Sequence, residues 1–341
     1  MASIRDIAAK TGFSVSTISR ALNQYDDVKP ATRELIIQAA EELNYFPSAV
    51  ARGLVIKKTF TIGLFFGDQV NSGFDHPFFL EVLSAIRKKA GDAGYDLVIF
   101  ANTNKKKSTY TSLCRERGVD GVFLVLTGEG KKKTETITEL QDSGIPCVAI
   151  DLPLDGSRAT YVESDNYHGA KAAVTHLLQS GHRQIAYIDG DDISKVSVDR
   201  LGGYKAALQE SGITPDPELI VPGYFDENST RGAVRQLLDT DKNVTAIFAA
   251  SDEMAITAID ELHRHDKHVP EDVSVIGFDD LAEAERHDPP LTTVRQNRYE
   301  MGSAAISILT KLIDEPEYEP APAVLPCELI VRASTSPLFN D

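Results

Sequence analysis

Few groupings of residues in this sequence match the spacing that metal binding or catalysis requires. His263, His265 and His268 lie close together, but they do not form the HExxH pattern of a zinc site, and the dipole of a predicted helix end favours them there. The acidic run at residues 189–192 lacks calcium-loop spacing, so we interpret it as a polar turn. Residues 128–131 lack the spacing of a phosphate-binding loop, and no GxGxxG sequence opens a predicted helix. The sequence therefore predicts no metal, no cofactor and no enzyme of these classes.

A run near the N-terminus is rich in side chains that donate hydrogen bonds. Its polar members are Ser14, Ser16, Thr17, Ser19 and Arg20. Ile18, Ala21 and Leu22 form an apolar stripe at helical spacing, with Ser14 as a candidate N-cap. At about 100° per residue, Ser16 and Arg20 project almost opposite that stripe. A short helix with a polar, cationic outer face is the result.

Exposure on the outer face is one interpretation of Val15 in this helix. Val15 lies on the border of the apolar stripe, and a position in the protein core is an equally good interpretation.

Two further helices flank this one. The first carries an apolar face of Ile4, Ile7, Ala8 and Thr11, and Gly12 allows the turn that ends it. The third begins at Pro30 and runs to Asn44, and its predicted inward residues are Ile36, Ile37, Ala40 and Leu43. Three short helices with a glycine turn predict a helix-turn-helix unit.

The distribution of charge indicates what this unit binds. The chain of 341 residues has 35 basic and 51 acidic residues and a net charge of −16. Residues 1–60 hold eight basic and six acidic residues, so they carry +2 and the remainder carries −18. A mildly basic unit on an acidic body directs only that unit toward DNA phosphates. In the alternative, the three helices pack on the body and their charges are simply solvated.

Residues 47–59 separate the helical unit from the rest. Pro47 stops the third helix, and Ser48 is able to cap one further short helical segment that ends near Leu54. One or two turns alone are not stable in water. We therefore expect a linker that becomes ordered only against DNA.

From residue 59 the pattern alternates between buried strands and helices. Strands are predicted at 61–66, 96–101, 121–126, 146–150, 184–188, 245–249, 273–277, 292–296 and 324–331, and helices at 77–91, 165–180, 198–209, 229–238, 252–265 and 300–313. Alternation over this length predicts two doubly wound parallel sheets. The first crossing between the two lobes is expected at residues 151–160, and strand ends from both lobes should meet in a cleft.

Two features of the sequence, its cysteines and the lengths of its apolar runs, indicate the cellular compartment. Cys114, Cys147 and Cys327 are scattered, which predicts reduced thiols in a cytosol. The N-terminus lacks a signal-peptide pattern, and no apolar run approaches the roughly 20 residues of a membrane span. We expect a cytoplasmic protein.

These patterns together resemble the lac repressor family of bacterial transcription regulators. The resemblance rests on residues 4–23 (IRDIAAKTGFSVSTISRALN) and 43–54 (LNYFPSAVARGL), and it continues through residues 76–79, 180–185, 200–204, 251–255, 276–280 and 291–296 in the family's order. It covers nearly the whole chain. It implies a helix-turn-helix headpiece at 1–46, a hinge at 47–59, and a bilobal body of periplasmic-binding-protein type at 60–341. Lobe 1 would comprise 60–160 and 297–322, and lobe 2 would comprise 161–292 and 323–341.

For DNA, the resemblance implies a second helix in the major groove and a hinge in the minor groove. Val15, Ser16 and Arg20 would face base edges. The Arg20 guanidinium is able to chelate N7 and O6 of a guanine, which discriminates against other bases by about 1–3 kcal/mol. Val15 and Ser16 are small, so they would offer a thymine-methyl contact and a single hydrogen bond. The residues that would hold phosphates are Ser3, Ser14, Thr17, Ser19, Asn23 and Tyr45. In the hinge, Ala51 and Leu54 would contact DNA, with Leu54 wedged between base pairs at an unstacking cost of a few kcal/mol. Packing of Leu54 against the body is the competing account.

For the body, the resemblance implies a small-molecule effector, a sugar or sugar derivative. The implied lining is Asp75, Phe78, Asp151, Arg200, Phe225, Ser251 or Asp252, Asp279 and Gln296. The chain has no tryptophan, so Phe225 or Phe74 would stack on a sugar ring. Asp279 could instead cap a helix, and Arg200 could pair within the protein. Val196 and Val198 stand where galactoside-binding relatives have polar groups, which disfavours a galactoside.

The expected assembly is a homodimer on a near-palindromic operator, because two headpieces read two half-sites. No leucine heptads follow the last predicted strand, so a tetramer is not expected. Two alternatives stay open. One is a sugar-binding receptor that does not bind DNA, and the other is a regulator that uses a phosphocarrier protein as corepressor.

Overall fold

A computed structural model describes residues 2–23, 25–45, 58–66, 76–101, 109–125, 131–191 and 193–338, without the side chains of 131–134. The predicted hinge residues Ala51 and Leu54, and Phe74 and Asp75 of the predicted cleft, lie outside these ranges. The chain forms two compact units, residues 1–60 and 61–341. We call the three helices of the first unit the headpiece and the second unit the body, and we describe each by itself.

The headpiece is the predicted helix-turn-helix unit. Its helices are α1 (Ile4–Thr11), α2 (Val15–Leu22) and α3 (Pro30–Glu42). Gly12 has a φ of 76°, and its N–H donates to the Ala8 carbonyl, which ends α1. The small core consists of Ile7, Ile18, Ala21, Val28, Ile36, Ala39 and Ala40. The prediction that Ile37 faces inward is wrong: it is 38% exposed, because its neighbour Ile36 occupies the inward direction of α3.

Lobe 1 of the body is built on sheet 1, in which every strand pair is parallel. Its strand order is β11-β5-β4-β3-β1-β2. The strands are β1 (Thr61–Phe66), β2 (Asp96–Ile99), β3 (Gly121–Val125), β4 (Cys147–Ile150), β5 (Ala159–Ser164) and β11 (Ala323–Leu325). The central strands are fully buried apolar runs, as expected of a sheet covered on both faces.

Lobe 2 is built on sheet 2, with the order β12-β10-β9-β8-β6-β7. Its strands are β6 (Ile185–Asp189), β7 (Ile220–Pro222), β8 (Ala246–Ala249), β9 (Ser274–Asp279), β10 (Thr292–Arg295) and β12 (Glu328–Ile330). β12 pairs antiparallel with β10, and the other pairs are parallel. The two doubly wound sheets confirm the predicted fold class.

Helices cover both sheets. They are α4 (Pro77–Asp92), α5 (Tyr110–Arg117), α6 (Lys131–Asp142), α7 (Asn166–Gln179), α8 (Lys195–Glu210), α9 (Glu227–Leu238), α10 (Asp252–His263), α11 (Ala282–Arg286) and α12 (Arg298–Asp314), with a 3₁₀ turn at Pro217–Leu219. α5, α6 and α11 were not predicted, because they are short or largely polar and lack a clear apolar period. α7 and α8 pack so closely that a Cβ at Gly203 would overlap the Tyr167 carbonyl oxygen.

The chain crosses between the lobes later than the sequence predicted. β5 was not predicted, and it pairs with β4 in sheet 1, so the first crossing follows Ser164 and does not lie within residues 151–160. The predicted strand at 324–331 is two strands in different sheets, because Pro326 cannot donate a ladder hydrogen bond. Residues 161–164 and 323–325, predicted for lobe 2, therefore belong to lobe 1. The Asp165 N–H donates to the Leu325 carbonyl (2.7 Å), which joins two crossings.

Within the described residues, none of the helices has both the length and the apolar character that spanning a bilayer requires.

Candidate effector cleft and DNA-binding face

The two sheets bring four predicted effector residues to the carboxyl ends of their strands. Asp151 directly follows β4, Asp279 ends β9, and Gln296 directly follows β10. Arg200 reaches these residues from α8. Ligands of doubly wound sheets bind outside the carboxyl ends of the strands. We call Asp151, Arg200, Asp279 and Gln296 the cleft cluster.

Arg200 is buried, and each of its guanidinium nitrogens faces an acceptor of the protein. Nε donates to Asn166 Oδ1 (2.8 Å), Nη1 donates to the Ala250 carbonyl, and Nη2 lies 3.8 Å from Asp279 Oδ1. Its Cζ lies 3.8 Å from the centroid of the Phe278 ring, a cation–π contact. The sequence analysis noted that Arg200 could pair within the protein, and in this structure it does. The side chain is fixed in place before any ligand arrives.

Asp279 does not cap a helix, because α11 begins at Ala282 with Leu281 as its N-cap. Its Oδ1 instead accepts from Gln296 Nε2 (2.6 Å), and its carbonyl oxygen accepts from Arg298. Its φ of 127° is rare outside glycine, so its surroundings hold the backbone in a strained conformation. Burial raises the pKa of Asp279, and the Arg200 charge opposes this shift.

Two oxygen atoms of the cleft cluster are buried without a hydrogen-bond partner among the described residues. They are Oδ1 of Asp151 and Oε1 of Gln296. Burial raises the pKa of Asp151 to about 7, although the nearby Arg200 charge lowers it. Buried polar atoms are nearly always hydrogen-bonded in native proteins, so unpaired ones require an explanation. Both atoms are acceptors when Asp151 is ionised, and they call for a ligand or water that donates.

Ser251 and Asp252 serve the framework more than the cleft. Ser251 is buried and caps α10 by accepting from the Met254 N–H (3.2 Å). Asp252 is fully buried, and its carboxylate accepts from the Leu281 N–H (2.7 Å) and the Thr293 hydroxyl (2.5 Å). Burial raises the pKa of Asp252 to about 8, and the Asp279 charge adds to the shift. Asp252 thus holds the loop that follows β9.

Of the two described aromatic candidates, Phe225 borders open space and Phe78 does not. Phe78 is buried, perpendicular to Phe79 at a ring distance of 5.0 Å. Phe225 has a φ of 51°, and its ring covers Gly190 so closely that a Cβ there would overlap it. It lines a cavity of about 560 Å³ together with Pro77 of lobe 1 and acidic residues of lobe 2. This cavity does not include the cleft cluster.

Sequence reasoning missed three residues that hold the cleft. Asn166 receives the Arg200 hydrogen bond, and Arg298 bridges from lobe 1 to the carbonyls of Asp279 and Asp280. His76, at the start of α4, pairs through Nε2 with Glu253 of lobe 2 at 3.4 Å. All three residues lie at or next to the start of a helix, and this position was the one signal in the sequence. Residues in such positions usually cap the helix, so the signal did not indicate a role in the cleft.

The outer face of α2 is polar and open, as predicted. Val15 is 44% exposed, so it is not a core residue, and Ser16 and Arg20 are exposed as well. Ser14 caps the helix by accepting from the Thr17 N–H (3.1 Å), and its hydroxyl contacts Ser16 Oγ (2.7 Å). These groups present hydroxyls and one guanidinium on a single face.

Three of the predicted phosphate contacts also have structural contacts within the headpiece. Ser3 is exposed, and its backbone N–H and hydroxyl both donate to Asp6. Asn23 donates to the Ser19 carbonyl (2.8 Å), so it also closes α2. Tyr45 is partly buried against the headpiece core. Ser3, Asn23 and Tyr45 therefore have structural contacts beside any role in binding.

Comparison with known proteins identifies the family. Residues 3–48 match the family of bacterial regulatory proteins of the lacI type, and residues 174–335 match the periplasmic binding protein-like domain. The chain is 33% identical to the transcriptional repressor PurR of Vibrio atlanticus (strain LGP32), over 99% of this chain and 100% of the relative. It is 34% identical to the transcriptional regulator CelR of Thermobifida fusca over 96% of both chains. The chain belongs to the lac repressor family.

Solved structures agree with this assignment. A complex of the regulator CelR with cellobiose superposes with a TM-score of 0.72 at 32% identity, covering 98% of this chain and 100% of that one. A lac repressor dimer bound to operator and the anti-inducer ONPF shares the fold with a TM-score of 0.83 at 24% identity, covering 98% and 99%. Like its family, this chain is a DNA-binding transcriptional regulator with a ligand-binding body, and it is not an enzyme.

Proposed function

We propose that this family member represses transcription as a homodimer on a near-palindromic operator, under the control of a neutral polyhydroxylated effector, a sugar. The observation that carries the effector assignment is a pair of acceptors, Asp151 Oδ1 and Gln296 Oε1, that have no partner among the described residues and lie beside an arginine that the protein already engages. Hydroxyl groups of a sugar donate to such acceptors.

The charges around the cleft argue against a phosphorylated effector. The charges of Glu163 and Asp279 both raise the pKa of Asp151, and the charge of Arg200 lowers it. A second cation, Lys195 of lobe 2, is engaged by Glu163 of lobe 1 (3.0 Å). A phosphate would have to approach these carboxylates with its own negative charge. The complex of the related CelR with cellobiose supports a neutral sugar.

Coupling between the effector and DNA follows from the two lobes. The cleft cluster takes Asp151 from lobe 1 and Arg200, Asp279 and Gln296 from lobe 2. A ligand that bonds to both sides favours one relative orientation of the lobes, and it shifts the population toward that state. We propose that this orientation decides whether residues 47–59 order on DNA, with Ala51 and Leu54 in the minor groove.

The dimer is supported by exposed apolar side chains at one edge of sheet 1. β2 is the edge strand, and its Val98 and Ile99 are 37% and 48% exposed. Leu80 of the neighbouring α4 is exposed as well. Apolar side chains on an open strand edge favour association, and a closed two-fold dimer buries them. The related lac repressor forms a dimer on its operator. Acting on DNA, the dimer would work in the cytoplasm.

Two measurements test the proposed function with the full-length protein. Selection from a randomised duplex library should return a near-palindrome, and its affinity should fall with rising salt because phosphate contacts release counterions. A thermal-shift panel of glucose, cellobiose, glucose 6-phosphate and hypoxanthine should show stabilisation by a neutral sugar. Selection of no palindrome, or stabilisation by the phosphorylated sugar alone, would contradict the proposal.

A further inference from the structure

The base-reading candidate Arg20 is not free in the headpiece, because two side chains of the next turn hold its guanidinium. Nη2 of Arg20 forms an ion pair with Asp27, and both side chains are about half exposed. Cζ of Arg20 lies 5.6 Å from the centroid of the Tyr25 ring. Asp27 therefore binds the guanidinium through Nη2, and the aromatic ring of Tyr25 lies within cation–π distance of it.

The turn that carries these two residues is anchored to both neighbouring helices. The Tyr25 N–H donates to the Arg20 carbonyl (3.0 Å), and the Tyr25 carbonyl accepts from Arg33 of α3 (2.8 Å) and from the Val28 N–H (3.2 Å). Val28 is buried in the headpiece core. Asp27 directly precedes this buried residue, so the backbone fixes its distance from Arg20.

We propose that Asp27 and Tyr25 are positioning residues, which hold the Arg20 guanidinium in the plane in which it reads a base and thereby set base selectivity. The inference rests on the proposed role of Arg20. Bidentate recognition requires a defined guanidinium plane, and prior ordering spares part of the entropy lost on binding. An exposed ion pair contributes very little to the stability of a fold, so we expect the Arg20–Asp27 pair to affect base recognition and not stability.

The carboxylate of Asp27 should also lower the affinity for DNA, which makes the proposal testable. It carries a negative charge on the face that meets DNA phosphates, so it weakens binding to any sequence. Its removal should strengthen binding to random DNA and at the same time reduce discrimination. If Asp27 had only a structural role, its removal should weaken both the binding to random DNA and the discrimination between bases.

The chain offers a matched control. Asp26 is exposed, it neighbours Asp27, and its loss changes the net charge equally. Among the contacts of the described residues, the ion pair to Arg20 belongs to Asp27 and not to Asp26. We would compare full-length wild type with the variants Asp27→Asn, Asp26→Asn, Tyr25→Leu and Arg20→Lys. Each is used in selection from a duplex library with 24 random base pairs, followed by anisotropy titrations of the selected duplex, its single-base variants and random duplex.

For the wild type we expect one position in each half-site at which guanine dominates. Asp27→Asn should reduce that preference by about fivefold or more, which is the lower end of the discrimination by a bidentate contact. Tyr25→Leu should reduce it less. Asp26→Asn should leave it within about twofold, while both aspartate variants bind random duplex more tightly than wild type.

Equal base preferences of Asp27→Asn and Asp26→Asn would overturn the inference. If Arg20→Lys reduces the guanine preference and Asp27→Asn does not, the role of Arg20 stands and the positioning by Asp27 fails. If Arg20→Lys leaves every preference unchanged, the proposed role of Arg20 fails together with this inference. Circular dichroism melting of each variant checks that the headpiece is folded.

Discussion

The replacement Asp151→Asn should remove a pH dependence of effector binding that the native cleft possesses. Burial raises the pKa of Asp151 to about 7, and its Oδ1 has no partner among the described residues. A sugar hydroxyl that donates to this atom binds the ionised carboxylate better than the protonated one. Effector affinity of the wild type should therefore rise from pH 6 to pH 8 and level off above that.

The magnitude follows from the two kinds of hydrogen bond. A hydrogen bond to a charged group contributes about 1.5–3 kcal/mol, and one to a neutral group contributes about 0.5–1.5 kcal/mol. The difference of about 1–1.5 kcal/mol corresponds to a change of about 5- to 15-fold in affinity. Asp151→Asn keeps an acceptor oxygen in place and removes the charge. It should weaken binding about tenfold at pH 8 and very little at pH 6.

The stability of the ligand-free protein should depend on pH in the opposite direction. The pKa of Asp151 in the folded state lies above its ordinary value, so the folded protein keeps a proton that the unfolded chain releases. Between the ordinary value of 3.8 and about 7, the free energy of unfolding therefore falls as pH rises. Asp151→Asn should raise the melting temperature at pH 8 and change it little at pH 4.

Calorimetric titration at pH 6, 7 and 8 measures the affinities, with the sugar that gives the largest thermal shift. His76→Gln is the control, because His76 is a second titratable group beside the cleft, and its pKa is raised. Burial lowers the pKa of His76, but the hydrogen bond to Glu253 and the charges of Glu253 and Asp279 more than offset this. A pH dependence that survives in Asp151→Asn, or disappears in His76→Gln, would refute our reasoning about Asp151.

Further predictions concern packing, assembly and DNA. Gly203→Ala should lower the urea midpoint, because overpacking against α7 costs about 1–3 kcal/mol. Gly232→Ala in α9, where a Cβ would meet open space, should be neutral or stabilising, and equal midpoints of the two variants would contradict this reasoning. Glu261→Ala removes a buried carboxylate that accepts from three arginine side chains, and should lower the free energy of unfolding by about 2 kcal/mol in urea titrations. Ile99→Asp on the edge of sheet 1 should shift sedimentation toward monomer, and an intact dimer would exclude this edge. Leu54→Ala should abolish tight operator binding in gel shifts while sugar binding persists, and unchanged DNA affinity would remove Leu54 from the mechanism.

Several elements followed from local patterns in the sequence. The apolar period of residues 4–22, the glycine turn at Gly12 and the cap at Ser14 were sufficient to define α1 and α2. Buried strands such as β1 and β3 were visible as short apolar runs. β5 and the division between β11 and β12 were missed, because which sheet a short strand joins depends on pairing partners distant in the chain.

The residues of the cleft show the same difference between what the sequence predicted and what folding decided. Its positions were suggested by where strands end and by resemblance to a family, so Asp151, Arg200, Asp279 and Gln296 were predicted from sequence. Their hydrogen bonding was not predicted. The engagement of Arg200 by Asn166, and the lack of a partner for Asp151 Oδ1 among the described residues, depend on atoms that only folding brings together.

Local patterns thus determined elements such as α1, α2, β1 and β3, since periodicity, caps and turn residues act within a few positions of each other. The tertiary structure alone decided which oxygens of the cleft have no partner in the described part of the chain and which carboxylate holds Arg20. Burial and hydrogen bonding of a side chain depend on distances between separate segments, and those distances are fixed by packing of the whole domain.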